Sequence, residues 1–124
     1  MDSGEASASN RRLSDRIDVS WDVDCETEET FLYASIRNVS RLGIFVLTRE
    51  PLEVGTEVVL RFSPPGSGAP FALKGAVQWI NPVRVLSENR NPGMGILFVD
   101  ITPEDRERLV ETVHTIAYVR DQSN

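Results

Sequence analysis

From Ile17 the chain alternates: Ile17, Val19, Trp21, Val23 and Cys25 fall on one side, Asp18, Ser20, Asp22 and Asp24 on the other. That two-residue period predicts a strand with one face in a core and the other in water. The acidic stretch Glu26 to Thr30 predicts a turn, then a strand over Phe31 to Val39, a small turn at Ser40 to Gly43 and a strand over Ile44 to Leu47. Pro51 to Gly55 predicts a further turn. Thr56 to Phe62 sets Val58, Leu60 and Phe62 against charged positions, Pro64 to Pro70 is a Pro/Gly-rich hairpin loop, and Phe71 to Ile80 predicts the next strand. Asn81 to Pro92 is polar and predicts a mobile loop. Gly93 to Val99, with Met94, Ile96 and Phe98 on one face, completes six predicted strands.

The period then changes. Thr102 supplies a cap, Pro103 the first helical position, and Glu104 and Asp105 place carboxylates where the helix dipole favours them. Leu109, Val110, Val113, Ile116 and Ala117 recur at helical spacing, predicting one amphipathic C-terminal helix. Closely spaced strands, short turns and one terminal helix predict a mainly β fold, a six-stranded antiparallel barrel that the helix caps or packs beside. Without β-α-β alternation, doubly wound and (β/α)8 folds are excluded. The 124 residues suit one domain. Residues 1–10, Ser, Ala, Gly and acids, are expected to form a flexible arm before a domain over 11–120 and a tail over 121–124.

Charge narrows the function. With 19 acidic against 13 basic residues the net charge is −6, which argues against a broad basic face for DNA or RNA. One cysteine and one histidine supply neither an internal disulfide nor a zinc ligand set. No stretch has the length of a membrane span or the pattern of a signal peptide, so a cytoplasmic setting without membrane insertion is expected. Catalysis is not expected either: His114 falls on the predicted helix flank, and Asp22, Asp24, Glu26, Glu28 and Glu29 read as a solvated charge run. No P-loop is present. Trp21 and Trp79 are expected in core or barrel-rim packing, Cys25 as a small buried hydrophobe, and Met94, Ile96 and Phe98 in the core.

The basic residues are unevenly placed. Arg11, Arg12 and Arg16 flank the boundary between the arm and the first strand, where arginine can fork onto a guanine edge, clamp a phosphate, stack on a purine, or simply form a solvated basic turn. Asn38-Val39-Ser40-Arg41-Leu42-Gly43 offers short hydrogen-bonding groups and a glycine that permits a positive-φ turn or close approach of a ligand. A plain Asx/Ser turn uses the same residues.

Together these two segments resemble the PilZ domain family of bacteria, receptors for the second messenger cyclic di-GMP. The family's R-x-x-x-R motif is matched by Arg12-Leu13-Ser14-Asp15-Arg16, with Arg11 preceding it, and its D/N-x-S-x-x-G motif by Asn38, Ser40 and Gly43. The likeness runs from Arg11 to about Tyr118 and includes Gly55-Thr56, Val77-Gln78-Trp79, Gly93-Met94-Gly95 and the closing helix. The resemblance implies a six-stranded barrel and a cyclic di-GMP site. Arg12 and Arg16 would close over the nucleotide through guanine-edge, stacking and phosphate contacts, Asn38 and Ser40 would add hydrogen bonds, and Gly43 would keep the surface open. Arg11 and Arg41 would be auxiliary. It also implies a non-enzymatic adaptor without a cofactor, relaying the messenger to a downstream effector protein in motility, polysaccharide or envelope processes. The alternative is a degenerate PilZ-like interaction module that binds no nucleotide.

Overall fold

Alternation of apolar and polar side chains is reproduced as an inside and an outside wall. The computed structural model describes residues 16–82 and 91–122. The expected arm, Arg11 and Arg12, most of the loop between the last two strands, and the last two residues of the expected tail lie outside the described residues. The elements are β1 (Ile17–Glu26), β2 (Phe31–Val39), β3 (Gly43–Leu47), β4 (Glu57–Phe62), β5 (Phe71–Asn81), β6 (Gly93–Val99) and a helix, α1 (Pro103–Gln122). They form a closed antiparallel barrel in the order β1-β2-β3-β6-β5-β4, which β1 closes through Asp24, Cys25 and Glu26 opposite Arg61, Leu60 and Val59. Strand existence, order and type agree with the pattern read from sequence.

The inward positions build one core. Val23, Cys25, Ile36, Val39, Ile44, Val46, Leu60, Phe71, Val77, Met94 and Ile96 are all buried. Trp21, Phe62 and Phe71 stack in series, with centroids 6.0 and 5.2 Å apart. Cys25 sits in this core as expected; burial and the nearby Asp24 push its thiol up to about 12.

The helix packs against the barrel core. Asp100 adopts φ 52° at the end of β6, a conformation that short polar side chains tolerate, and Thr102 Oγ1 accepts the Asp105 N–H at 3.1 Å as the cap. Leu109 and Val113 then enter the core cluster, each full burial stabilising the packing by roughly 1.5–3 kcal/mol. Arg108 fastens the helix to the β4–β5 loop: its guanidinium lies 4.1 Å from the Phe71 ring centroid and donates to the carbonyls of Ser67 and Ala69.

Three strands are irregular. Register shifts fall between Asp18 and Trp21 in β1, between Ile36 and Asn38 in β2, and between Val77 and Trp79 in β5. Such shifts bend a strand and re-aim its side chains, and here they border one patch of the outer wall.

Candidate functional site

The patch begins where the chain enters β1. Arg16 precedes Ile17, and its Nη1 donates to Asn38 Oδ1 at 3.0 Å and to the Gly43 carbonyl at 3.3 Å. Asn38 lies at the end of β2, opposite Asp18 on one side and Phe45 on the other. The sequence motifs, 22 residues apart at Arg16 and Asn38, thus meet because β1 and β2 pair antiparallel. Although Arg16 is solvent exposed as a residue, its guanidinium rests against the barrel, and the lost hydration lowers its pKa from the ordinary value. An arginine so placed keeps its charge at neutral pH.

Ser40 has a different position from Asn38. It is buried, its Oγ accepts the Leu42 N–H at 3.1 Å, and its N–H donates to the Gly43 carbonyl at 2.9 Å. Its bonds build the turn that holds Arg16's second acceptor. Arg41 is half-buried, and its Nε has no acceptor among the described residues.

Gly43 is required for a reason the sequence does not display. Its φ is not positive, unlike those of Gly55, Gly66 and Gly68. A Cβ at Gly43 would collide with the Ile96 carbonyl and lie 3.2 Å from Leu97 Cα. The missing side chain lets β6 approach β3, so the expected positive-φ turn gives way to strand-strand packing.

Beside Asn38 a cleft of about 450 Å3 opens, with Asp18, Arg37, Phe45, Trp79 and Asn81 in its walls. Phe45 and Trp79 stack with centroids 5.4 Å apart and planes 20° from parallel. Trp79 is 49% exposed, so it is not a core residue; of the two tryptophans only Trp21 is buried in the core. The shift after Val77 turns Trp79 outward, and the indole lies on Gly95, where any Cβ would strike its Nε1. Asn81 Nδ2 donates to the Asn91 carbonyl at 2.7 Å and ties the strand ends together at the rim.

Phe45, Trp79 and Arg37 were not legible as site residues. Ile44-Phe45-Val46 is a continuous apolar run that leaves the facing of its middle residue open. The available signal at Trp79 was Gln78 followed by two apolar residues, a break in alternation of the kind a bulge produces.

A larger groove, about 680 Å3, lies on another part of the wall, where the carboxylates of Glu26, Glu28, Glu29 and Glu57 outnumber the cations Arg61 and Lys74. Its carboxylates make it the poorer site for a phosphate. Among the described residues no group of His, Cys, Asp and Glu could hold a metal ion, and no helix is long and apolar enough to cross a membrane.

The barrel and the helix that follows it have counterparts among solved structures. The isolated PilZ domain of YcgR from Escherichia coli with c-di-GMP superposes with a TM-score of 0.69 at 16% identity, covering 91% of this chain and 97% of that one. The MrkH–c-di-GMP complex of K. pneumonia gives a TM-score of 0.71 at 16% identity over 92% of this chain and 56% of that one. The inhibitor of motility MotI/DgrA of Bacillus subtilis gives 0.68 at 22% identity over 92% and 52%. The chain therefore spans about half the length of the last two, and at these identities the likeness is one of fold. A comparison with curated protein sequences finds no match. The profile of the PilZ domain matches residues 10–114, and with most of the chain inside that match, the protein belongs to the PilZ domain family, whose members are generally non-catalytic c-di-GMP receptors.

Proposed function

We propose that this domain binds cyclic di-GMP at the cleft beside Asn38 and passes the bound state to a partner protein. The observation that carries the reading is the Arg16 guanidinium held over Asn38 and Gly43 at the edge of a cleft walled by the Phe45–Trp79 stack. Cyclic di-GMP offers two purine faces, two guanine edges and two phosphates. The half-exposed indole presents a face for stacking, Arg16 and Arg37 present planar forks, and Asn38 can donate from its amide while its oxygen holds Arg16. Ser40 contributes through the turn it shapes, and Gly43 through the carbonyl that helps hold Arg16 in place. Arg12 and Arg11, directly upstream, supply further cations, and Arg41 is auxiliary.

Two of the structurally similar proteins, YcgR and MrkH, were solved with c-di-GMP, which supports the ligand class. The match between the two arginine and Asn/Ser/Gly motifs supports the residues. A ligand that recruits Arg11 and Arg12 onto the barrel would change the shape and charge of an exposed surface, giving a partner something to read.

Titration calorimetry with cyclic di-GMP, and with its linear dinucleotide and GTP as controls, tests this. A bidentate arginine contact to guanine discriminates by roughly 1–3 kcal/mol, so Arg12→Ala and Arg16→Ala should each weaken binding about ten- to a hundred-fold. Trp79→Ala should cost a similar amount through lost stacking. All three should unfold at nearly the wild-type temperature. Unchanged affinity in both arginine variants would refute the site, and no binding by the wild-type chain would leave the interaction-module alternative.

A further inference from the structure

The outer wall away from the cleft carries a second feature that nucleotide binding does not use. Phe31 and Tyr33 both face outward from β2, 48% and 78% exposed, with their rings edge to face at 5.0 Å and 79°. Exposed aromatic pairs of this kind are the residue type that anchors protein interfaces, large in area and low in side-chain entropy.

Their surroundings are acidic. The register places Glu26 beside Phe31, Asp24 beside Tyr33 and Asp22 beside Ser35. The adjoining turn adds Glu28 and Glu29, and Glu57 stands across the 680 Å3 groove. Against these six carboxylates the wall sets two cations, Arg61 and Lys74, and Arg61 is already engaged by Glu26 at 2.6 Å. Much of the chain's net charge of −6 is therefore concentrated here.

We propose that this wall is a docking surface for a partner protein segment that is rich in arginine or lysine and carries an apolar side chain to cover Phe31 and Tyr33. A guanidinium laid on an aromatic face beside a carboxylate gains both a cation–π contact and an ion pair. The β1–β2–β4 wall offers that combination at Tyr33 with Asp24, while beside Phe31 the Glu26 carboxylate is shared with Arg61. A second copy of the chain fits poorly, because two such walls would bring like charges together. The surface is also separate from the cleft: Phe31 and Asn38 stand near opposite ends of β2, roughly 23 Å apart along an extended strand. The proposal stands on this wall alone, whether or not the cleft binds a nucleotide.

The test uses the full chain, isotope-labelled for NMR, titrated with a synthetic peptide of alternating Arg and Leu. Peptides with Glu replacing Arg, or Ser replacing Leu, are the controls. Saturable binding is expected with the Arg-Leu peptide, with shifts centred on Asp24, Glu26, Phe31 and Tyr33. Tyr33→Thr, which removes a mostly exposed ring from a strand without disturbing the core, should weaken it by about tenfold, as should Asp24→Asn. Arg16→Ala should leave it unchanged. Two results would overturn the proposal. One is equal binding of the Arg-Ser peptide that ignores Tyr33→Thr, meaning diffuse electrostatics only. The other is a concentration-dependent dimer in sedimentation that Tyr33→Thr abolishes, meaning that a second copy occupies the face.

Discussion

Arg16 and Cys25 lie at opposite ends of β1 and show how the same wall treats polar and apolar side chains. The Arg16 guanidinium finds two acceptors on neighbouring elements and gives up part of its hydration without losing its charge. Cys25 finds no such partners and is buried as a neutral thiol, held up to about 12 by desolvation first and Asp24 second. A raised folded-state value means that the unfolded chain releases this proton first. Stability from Cys25 is thus complete below about pH 9 and is lost as pH climbs toward 12, at about 1.4 kcal/mol per pH unit. Cys25→Val should flatten that part of the stability curve relative to wild type, as read by urea unfolding at pH 8 and 10. The native thiol should also resist disulfide reagents until the barrel opens. Burial of Cys25 was legible because it continues the alternation begun at Ile17. The turn-building role of Ser40 was not, since an Asn-x-Ser-x-x-Gly stretch reads alike whether its hydroxyl faces a ligand or its own backbone.

At the scale of the element, the bulges and glycines decide what the strands present. Strict alternation along Phe71, Leu73, Gly75 and Val77 would carry Trp79 inward, and one shifted residue turns it onto the outer wall. Gly43 and Gly95 face that same wall yet differ in what replaces them. A side chain at Gly43 meets the β6 backbone, which cannot yield without parting β3 from β6, whereas at Gly95 it meets the Trp79 indole. Gly43→Ala should therefore destabilise the barrel by about 1–3 kcal/mol. Gly95→Ala should lift the indole, alter tryptophan fluorescence and lower nucleotide affinity with a much smaller loss of stability. Calorimetric unfolding alongside ligand titration separates the two; equal loss of stability in both would contradict this reading. Strand limits were legible to within a residue or so, because turns and alternation are local. The bulges were not, because they answer to the curvature that closure of the barrel demands.

Across the whole molecule, charge is divided by region. The proposed nucleotide cleft has Arg16 and Arg37 near it, while the Phe31–Tyr33 wall holds most of the clustered carboxylates. At about 0.01 M salt the Debye length of about 30 Å lets an approaching dianion feel the net charge of the chain, whereas at about 0.15 M it is about 8 Å and the arginines dominate. The association rate for cyclic di-GMP should accordingly rise with salt over this range, opposite to the usual behaviour of steered encounters. Stopped-flow fluorescence of the tryptophans can follow it. A rate that falls steeply with salt would show that the cationic end governs the field at long range.

Barrel class, strand order in the chain, the capped helix and the two motif segments follow from local chemistry, since period, turn residues and caps act between near neighbours in the sequence. The meeting of Arg16 with Asn38, the outward turn of Trp79 onto Gly95, the burial of Ser40 and the setting of Phe31 and Tyr33 beside the carboxylates of β1 depend on register and closure. Those are settled by contacts between strands far apart in the chain, where a shift of one residue exchanges inside for outside.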